Sequence, residues 1–173
     1  TVFNKEHPPG FRWLHENAGT NWRMMPIQAA IGIEALDLLE SWINHRRNIA
    51  SIYNKELKDI NGVRLTIPPE EIYHSYYKYY FFIDPKHFTI SRDEIIQKIN
   101  NENIFAQIGS CSEVYLEKAL IKYKPSKDLN NTQELFKTSI MLLCDPCVTI
   151  DDATSNIKNI KNILMSHKII NHN

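Results

Sequence analysis

The stretch PIQAAIGIEALDLLESWINHRRNIASIYNKELKDING, residues 26–62, decides the fold of this chain. Its apolar residues recur every three or four positions, as on one face of an α-helix, and proline stands at the first position, where a helix tolerates it. Gly62 supplies the left-handed conformation that ends many helices. The pattern predicts one helix of about 34 residues, roughly three times the average length. We expect such a helix to connect two domains or to lie along an oligomer interface, with residues 45–47 on its solvated face.

Three segments after this helix have the pattern of β-strands. VRLTI (63–67) and IFAQI (104–108) predict short strands, and SYYKYYFFID (75–84) has the strongest pattern. Large side chains occupy both faces of this third segment: Tyr77, Tyr79, Phe81 and Ile83 on one, and Tyr76, Tyr80 and Phe82 on the other. We therefore expect a central strand that is buried on both faces, with Lys78 as the exception.

Helical patterns account for most of the remaining chain. Residues 91–94, SRDE, form a capping box in which Ser91 and Glu94 exchange hydrogen bonds, and the helix that they begin is predicted to reach about Asn101. Further helices are predicted at 113–120, 132–143 and 151–168. Few strands among covering helices predict an α+β fold, made of the long helix and a small domain with a roughly three-stranded sheet.

Composition excludes several classes of function. Lysine plus arginine equals aspartate plus glutamate at 20 each, so the general positive charge of nucleic-acid-binding proteins is missing. The apolar runs are too short to span a bilayer, and we expect a cytoplasmic protein. Glycine-rich phosphate loops, serine-hydrolase motifs and zinc-protease motifs are also absent from the sequence.

The cysteines are few and odd in number: Cys111, Cys144 and Cys147. Such a set is not typical of a secreted disulfide framework, so reduced thiols are expected. Residues 144–147, CDPC, match a redox or zinc motif, but no second pair completes four ligands and no helix begins directly after the first cysteine. We expect a coincidental pair in a loop and no metal site.

A polar bend, GTNWRMM at 19–25, precedes the long helix. Asn21 and Arg23 would offer an amide, a guanidinium and unpaired backbone N–H groups to an anion such as a phosphate. The alternative is structural, with Asn21 capping the helix and Arg23 pairing with a nearby glutamate. Spacing alone leaves both interpretations open.

A longer match extends from this bend through the chain. HPPGFRWLHENAGTNWRMMPIQAAIGIEAL (7–36), RRNIASIYNKEL (46–57), HSYYKYYFFID (74–84) and GSCSEVYLEKAL (109–120) occur in this order. The chain resembles the C-terminal part of the DegT/StrS family of pyridoxal-phosphate-dependent nucleotide-sugar aminotransferases, and perosamine-synthase-like members in particular. This resemblance implies three parts: a large-domain or interface remnant at 1–25, an interdomain helix at 26–61 and a small C-terminal α+β domain at 62–173.

The resemblance also implies roles for individual residues. In the family, the asparagine of the bend reaches across a dimer to the cofactor phosphate of the neighbouring subunit, and this role transfers to Asn21. Arg23 matches the motif arginine and is expected at the same interface. Ser110 and Ser112 match the loop that borders the sugar-nucleotide site. The complete enzyme would use pyridoxal phosphate to move an amino group from glutamate to a keto-sugar nucleotide.

None of the lysines in this sequence matches the cofactor lysine of the family. In the family it precedes the bend by several dozen residues, and Lys5, the upstream lysine, does not stand in the family context. We therefore expect no catalytic residue, no bound cofactor and no transamination in this piece alone. Asp145 and Cys147 also depart from the family pattern.

Two hypotheses follow. The first is the C-terminal portion of a sugar aminotransferase, completed by an N-terminal domain or by a homodimer partner. The second is a folded remnant or dimerising interaction domain without enzymatic activity.

Overall fold

A computed structural model describes residue 20, residues 22–110 and residues 113–169. The chain divides into two units, of which the first ends at Leu38 and the second begins at Leu39. Four α-helices and four β-strands follow one another in these residues: α1 (Pro26–Leu57), β1 (Val63–Leu65), β2 (Tyr79–Ile83), α2 (Arg92–Asn101), β3 (Ala106–Gln107), α3 (Asn130–Thr138), β4 (Ser139–Leu142) and α4 (Ile150–Ser166). The α+β class is confirmed.

The long helix begins at the predicted proline and ends five residues before Gly62. In its first turn, the Met25 amide donates to Gln28 Oε1 at 3.0 Å. Large apolar side chains in the part of α1 that belongs to the first unit are exposed, with Ile27 at 64%, Ile31 at 66% and Leu36 at 67%. A helix with exposed apolar residues on several sides is typical of one that is buried in a larger assembly.

The second unit contains an antiparallel sheet with the strand order β1-β2-β4-β3. Phe81 of β2 lies opposite Leu65 of β1 on one side and opposite Ile140 of β4 on the other. The prediction of a central strand at β2 is therefore confirmed.

The core of the second unit lies between one face of the sheet and three helices. Residues with 0–1% exposure come from each layer: Ile49 and Leu57 of α1, Ile95 and Ile99 of α2, Ile157, Ile160 and Leu164 of α4, and Tyr79, Phe81, Ile83, Ile140 and Leu142 of the sheet. Two tyrosines fasten α1 to this sheet, since Tyr79 OH donates to Asn54 Oδ1 at 2.8 Å and Tyr53 OH donates to the Leu143 carbonyl at 3.3 Å. Burial raises the pKa of both phenols, which keeps them protonated and able to donate.

The prediction of one helix over residues 132–143 is wrong. The helix α3 ends at Thr138, and residues 139–142 form β4, which is buried at every position. A short apolar run fits a buried strand and a buried helix equally well, and periodicity alone does not separate them. Pairing with β2 on one side and β3 on the other decides the case, because it satisfies the backbone groups of a segment that has no access to water.

The segment 113–120 also differs from the predicted helix. Its described part forms a short 3₁₀ turn at Val114–Leu116, and a second turn follows at Ile121–Tyr123. The two other helix predictions are confirmed. Ser91 and Glu94 form both hydrogen bonds of the capping box at the start of α2, and Thr149 caps α4 by accepting from the Asp152 amide.

No helix in the part of the chain that the structure describes has both the length and the hydropathy required to cross a membrane.

Arg92 is buried at the first position of α2 and holds the junction between α3 and β4. Its Nη1 donates to the carbonyls of Phe136 at 2.8 Å and Ser139 at 2.9 Å, while its Nε donates to Asp93 at 2.6 Å. These contacts place a charged side chain where a helix changes into a strand.

Replacing Arg92 by methionine is expected to lower the free energy of unfolding by about 1–3 kcal/mol, because the buried Ser139 carbonyl and the partly buried Phe136 carbonyl lose their donor. Urea unfolding followed by circular dichroism measures the change. The matched control is Arg64→Met, since the exposed Arg64 only stacks on the Phe82 ring at 4.1 Å and should cost under about 1 kcal/mol. Equal effects of both substitutions would contradict the role given to Arg92.

Candidate functional site

Ser110 is held on the outer face of the sheet by Tyr80 of β2. The Ser110 amide donates to the Tyr80 hydroxyl oxygen at 3.1 Å, and the two hydroxyl oxygens lie 3.4 Å apart. Gly109 precedes it with φ +88°, and a Cβ atom at this position would lie 2.6 Å from the Tyr80 hydroxyl oxygen. Only glycine adopts this conformation and permits this approach without strain. The backbone at Ser110 therefore has a fixed position relative to β2.

A cavity of about 470 Å³ opens beside this turn. Its lining combines hydroxyl groups, aromatic rings, an imidazole and an ammonium group: Thr66, Ile67, Pro68, His74, Ser75, Tyr76, Tyr77, Lys78, Tyr80 and Ser110. A concave surface with an apolar base and a few polar groups is typical of a small-molecule site. Ser110, which is predicted to border the substrate site, thus lies at a cavity that combines apolar surface with hydroxyl, imidazole and ammonium groups.

Tyr76, one of the residues that line the cavity, has an unusual backbone conformation. Its φ is +46°, which is rare for a residue with a large side chain. Its amide donates to Nδ1 of His74 at 3.0 Å, and its buried ring contacts His74 edge-on with 4.5 Å between ring centroids. Backbone strain of this kind persists where the surroundings fix the residue, and it is often found at functional sites.

This turn corrects the prediction for Tyr77. The alternation of the sequence placed Tyr77 on a buried face with Tyr79, but the strand begins only at Tyr79 and Tyr77 is 72% exposed. The positive φ of Tyr76 breaks the alternation one residue earlier. Burial on both faces is confirmed for Phe81 and Phe82 of the same strand.

The segment that carries these residues is bound to the second half of α1. Arg47 donates to the His74 carbonyl at 2.9 Å, and its guanidinium lies 4.3 Å above the Tyr73 ring. Tyr73 donates in turn to Glu40 at 2.7 Å, a bond that raises the pKa of the phenol. His45 contacts the Val148 carbonyl at 2.7 Å. The prediction that residues 45–47 form only a solvated face is therefore wrong for His45 and Arg47.

The other predicted site residues have different outcomes. Arg23 belongs to the first unit and is exposed three residues before α1 begins. Asn21 and Ser112 lie outside the described residues, so their predicted roles stay predictions. Sequence reasoning missed His74, Lys78 and Tyr80 as cavity residues. The dense aromatic run at 76–80 was visible, but it was interpreted only as a buried strand.

The CDPC sequence lies in the loop between β4 and α4. Burial raises the pKa of the Cys144 thiol to about 12. Cys147 is exposed, and the neighbouring Asp145 raises its pKa as well. Both thiols therefore stay protonated at neutral pH, which does not suit a nucleophile or a metal ligand. Among the residues that the structure describes, no cluster of three or more histidine, cysteine or acidic side chains could hold a metal ion.

Residues 4–161 match the model of the DegT/DnrJ/EryC1/StrS aminotransferase family. Two similar proteins are the dTDP-4-amino-4,6-dideoxy-D-glucose transaminase of Shigella dysenteriae, 33% identical over 89 residues, and the GDP-perosamine synthase of Vibrio cholerae, 31% identical over 97 residues. These matches cover 51% and 55% of this chain but only 24% and 25% of the relatives.

The fold is also similar to that of a solved aminotransferase from Psychrobacter cryohalolentis. The TM-score is 0.80 at 33% sequence identity, and the match covers 96% of this chain and 45% of the other. The chain thus spans less than half of the length of the relatives that it matches.

Replacing Gly109 by alanine is expected to lower the free energy of unfolding by about 1–3 kcal/mol, because the new Cβ meets Tyr80 and φ is positive. Gly32 is the matched control. It lies within α1 with no atom within 4 Å of an added Cβ, so Gly32→Ala should instead stabilise the helix by about 0.5–1 kcal/mol. Chemical unfolding of both variants tests the opposite signs, and a neutral Gly109→Ala would show that the turn is not fixed on Tyr80.

Proposed function

This chain belongs to the DegT/DnrJ/EryC1/StrS aminotransferase family, and from this membership we propose that it forms the C-terminal part of a pyridoxal-phosphate-dependent sugar aminotransferase. The reaction moves an amino group from glutamate to a keto-sugar nucleotide, as in the synthesis of perosamine-type sugars. The observation that carries the proposal is the structural similarity of 96% of the chain to 45% of a solved aminotransferase. The similarity to a dTDP-4-amino-4,6-dideoxy-D-glucose transaminase and to a GDP-perosamine synthase supports the substrate class.

One end of the cofactor is proposed to be held by residues of this chain. Arg23 is an exposed residue three positions before α1 begins, and an arginine close to a helix N-terminus suits a phosphate dianion. In the proposal, Arg23 and Asn21 hold the phosphate of the cofactor that belongs to a partner subunit. Pyridoxal phosphate, held there, would supply the group that carries the amino group from the donor to the acceptor.

The chain's own part in the reaction is to bind and orient. The cavity at Ser110 would receive the sugar nucleotide, with the Tyr80 and Ser110 hydroxyls available to its polar groups. Ser112 is proposed to contribute from the same loop. The lysine that holds the cofactor would come from an N-terminal domain, so the piece alone is proposed to be inactive.

A homodimer and a cytoplasmic location belong to the same proposal, and the free thiols Cys144 and Cys147 support a reducing environment.

A chimeric protein tests the proposal. The N-terminal part of the Psychrobacter cryohalolentis aminotransferase, joined to this chain, is expected to transfer an amino group from glutamate to a keto-sugar nucleotide, whereas the chain alone is expected to be inactive. In the chimera, Asn21→Ala and Arg23→Ala should each weaken cofactor binding by about 10- to 150-fold, since a charge-assisted hydrogen bond is worth about 1.5–3 kcal/mol. Cofactor titration by visible absorption measures this change.

Arg64→Ala serves as the matched control, because Arg64 is exposed and lies on β1 of the second unit. An inactive chimera, under conditions where the parent enzyme works, would contradict the proposed function. Equal cofactor affinity in the Asn21 and Arg64 variants would contradict only the role of the bend.

A second candidate function is a dimerising interaction domain without catalysis. The exposed apolar side chains of α1 in the first unit favour it, since such residues usually mark a surface that another molecule covers. The best exposed ones are Ile27, Ile31, Ile33 and Leu36, all above 60%.

If this surface pairs two copies, Ile31→Glu combined with Ile27→Glu should convert a dimer into a monomer, because two copies of each carboxylate would enter an apolar interface. Sedimentation velocity measures the state. Met165→Glu is the control, since Met165 is 50% exposed on α4 in the second unit. A monomeric parent chain would exclude this candidate.

A further inference from the structure

The turn between α1 and β1 contains Asn61 followed directly by Gly62, a pair of residues that occurs once in the sequence. Asn61 is exposed, and its side-chain amide takes part in no hydrogen bond within the part of the chain that the structure describes. Asparagine is a chemically labile residue. Its side-chain carbonyl carbon can be attacked by the backbone nitrogen of the next residue, so the state of Gly62 decides whether Asn61 reacts.

The backbone nitrogen of Gly62 is not held by the turn. The amides of Ile60 and Val63 donate to the carbonyls of Leu57 at 3.1 Å and Ile60 at 3.0 Å. Among the described residues, the Gly62 amide donates to no backbone carbonyl. Glycine also carries no Cβ atom that would crowd its nitrogen. Both reacting groups are therefore free of competing contacts.

The fold requires glycine at this position. Gly62 has a φ of +89°, and an added Cβ atom would lie 2.5 Å from Cβ of His87. Its carbonyl accepts from the Asp84 amide at 2.7 Å, next to the point where Val63 pairs with Ile83. A larger residue at position 62 would protect Asn61 by crowding the nitrogen, but the positive φ and the contact with His87 exclude it. The packing of this turn thus maintains a reactive pair.

We propose that Asn61 is a site of spontaneous deamidation through a succinimide formed with Gly62. The Gly62 nitrogen bonds to Cγ of Asn61, and Nδ2 leaves as ammonia together with the proton that the Gly62 nitrogen loses. Water then opens the ring at one of its two carbonyl carbons. Attack at Cγ gives aspartate, whereas attack at the backbone carbonyl carbon gives isoaspartate, in which the main chain runs through Cγ.

The products disturb the start of β1. Isoaspartate adds one atom to the main chain directly before Gly62, whose position is fixed by the contact with His87 and the hydrogen bond from Asp84. Either product also adds a carboxylate to a cavity of about 540 Å³ that Asp84 already lines, and like charges repel. Deamidation therefore weakens the connection between α1 and the edge strand β1.

Incubation of the 173-residue chain at mildly alkaline pH, followed by mass spectrometry of the tryptic peptide 59–64, tests the site. This peptide is expected to gain the mass difference between an amide and a carboxylic acid, and to become a substrate of isoaspartyl methyltransferase. The conversion should be slower at acidic pH, because the Gly62 nitrogen must lose its proton. The unfolding midpoint of the incubated chain should fall as the conversion proceeds.

Asn61→Ser is the matched variant, since serine also suits a turn but has no amide to lose. Its peptide should keep its mass, and its unfolding midpoint should stay constant through the same incubation. A midpoint that falls equally in this variant would refute the effect on β1.

Asn103 is a matched control within the same chain. It is exposed in the turn after α2 and has a φ of +58°, but the next residue is Ile104, whose amide donates to the Ile99 carbonyl at 3.4 Å. Asn103 should stay intact while Asn61 converts. An intact Asn61, equal conversion of Asn61 and Asn103, or conversion of Asn61 in urea but not in the folded chain would each overturn the inference.

Discussion

The burial of β2 on both faces is the constraint on which the rest of the second unit depends. Phe81 and Ile83 face the helical layer, while Phe82 is nearly covered on the opposite side. Such a strand must have hydrogen-bonded neighbours on both edges, because water does not reach its backbone. The strand β4 provides one neighbour and β1 the other. The tyrosine hydroxyls that fasten α1 then act on an already fixed sheet.

The cavity forms where the burial of β2 ends. Three residues before the strand begins, the chain turns through the positive φ of Tyr76, and the next side chain, Tyr77, is exposed. Arg47 holds this turn against α1, and Tyr80 holds the opposite wall at Ser110. The same aromatic run therefore supplies the centre of the core at one end and a wall of the cavity at the other.

The parts that the sequence predicted correctly are those that depend on local signals. The proline at the first position of α1, the capping box of α2 and the apolar stripe of α4 each specify their element within a few residues. The errors concern segments whose state depends on distant partners. Residues 139–142 become a strand because β2 and β3 pair with them, and Tyr77 is exposed because of a backbone angle that a tyrosine rarely adopts. Of the site, Ser110 was found through resemblance, while the contribution of His74 and Lys78 needed the geometry of the turn.

The close packing of Gly109 on Tyr80 has a consequence for how this surface can diverge. As long as position 80 carries a large aromatic side chain, position 109 has no room for any other residue. Conversely, a smaller residue at position 80 would remove the support of the Ser110 amide. Single substitutions at either position are therefore penalised, and because a φ of +88° disfavours other residues at position 109 whatever stands at position 80, this wall of the cavity should change little between lineages.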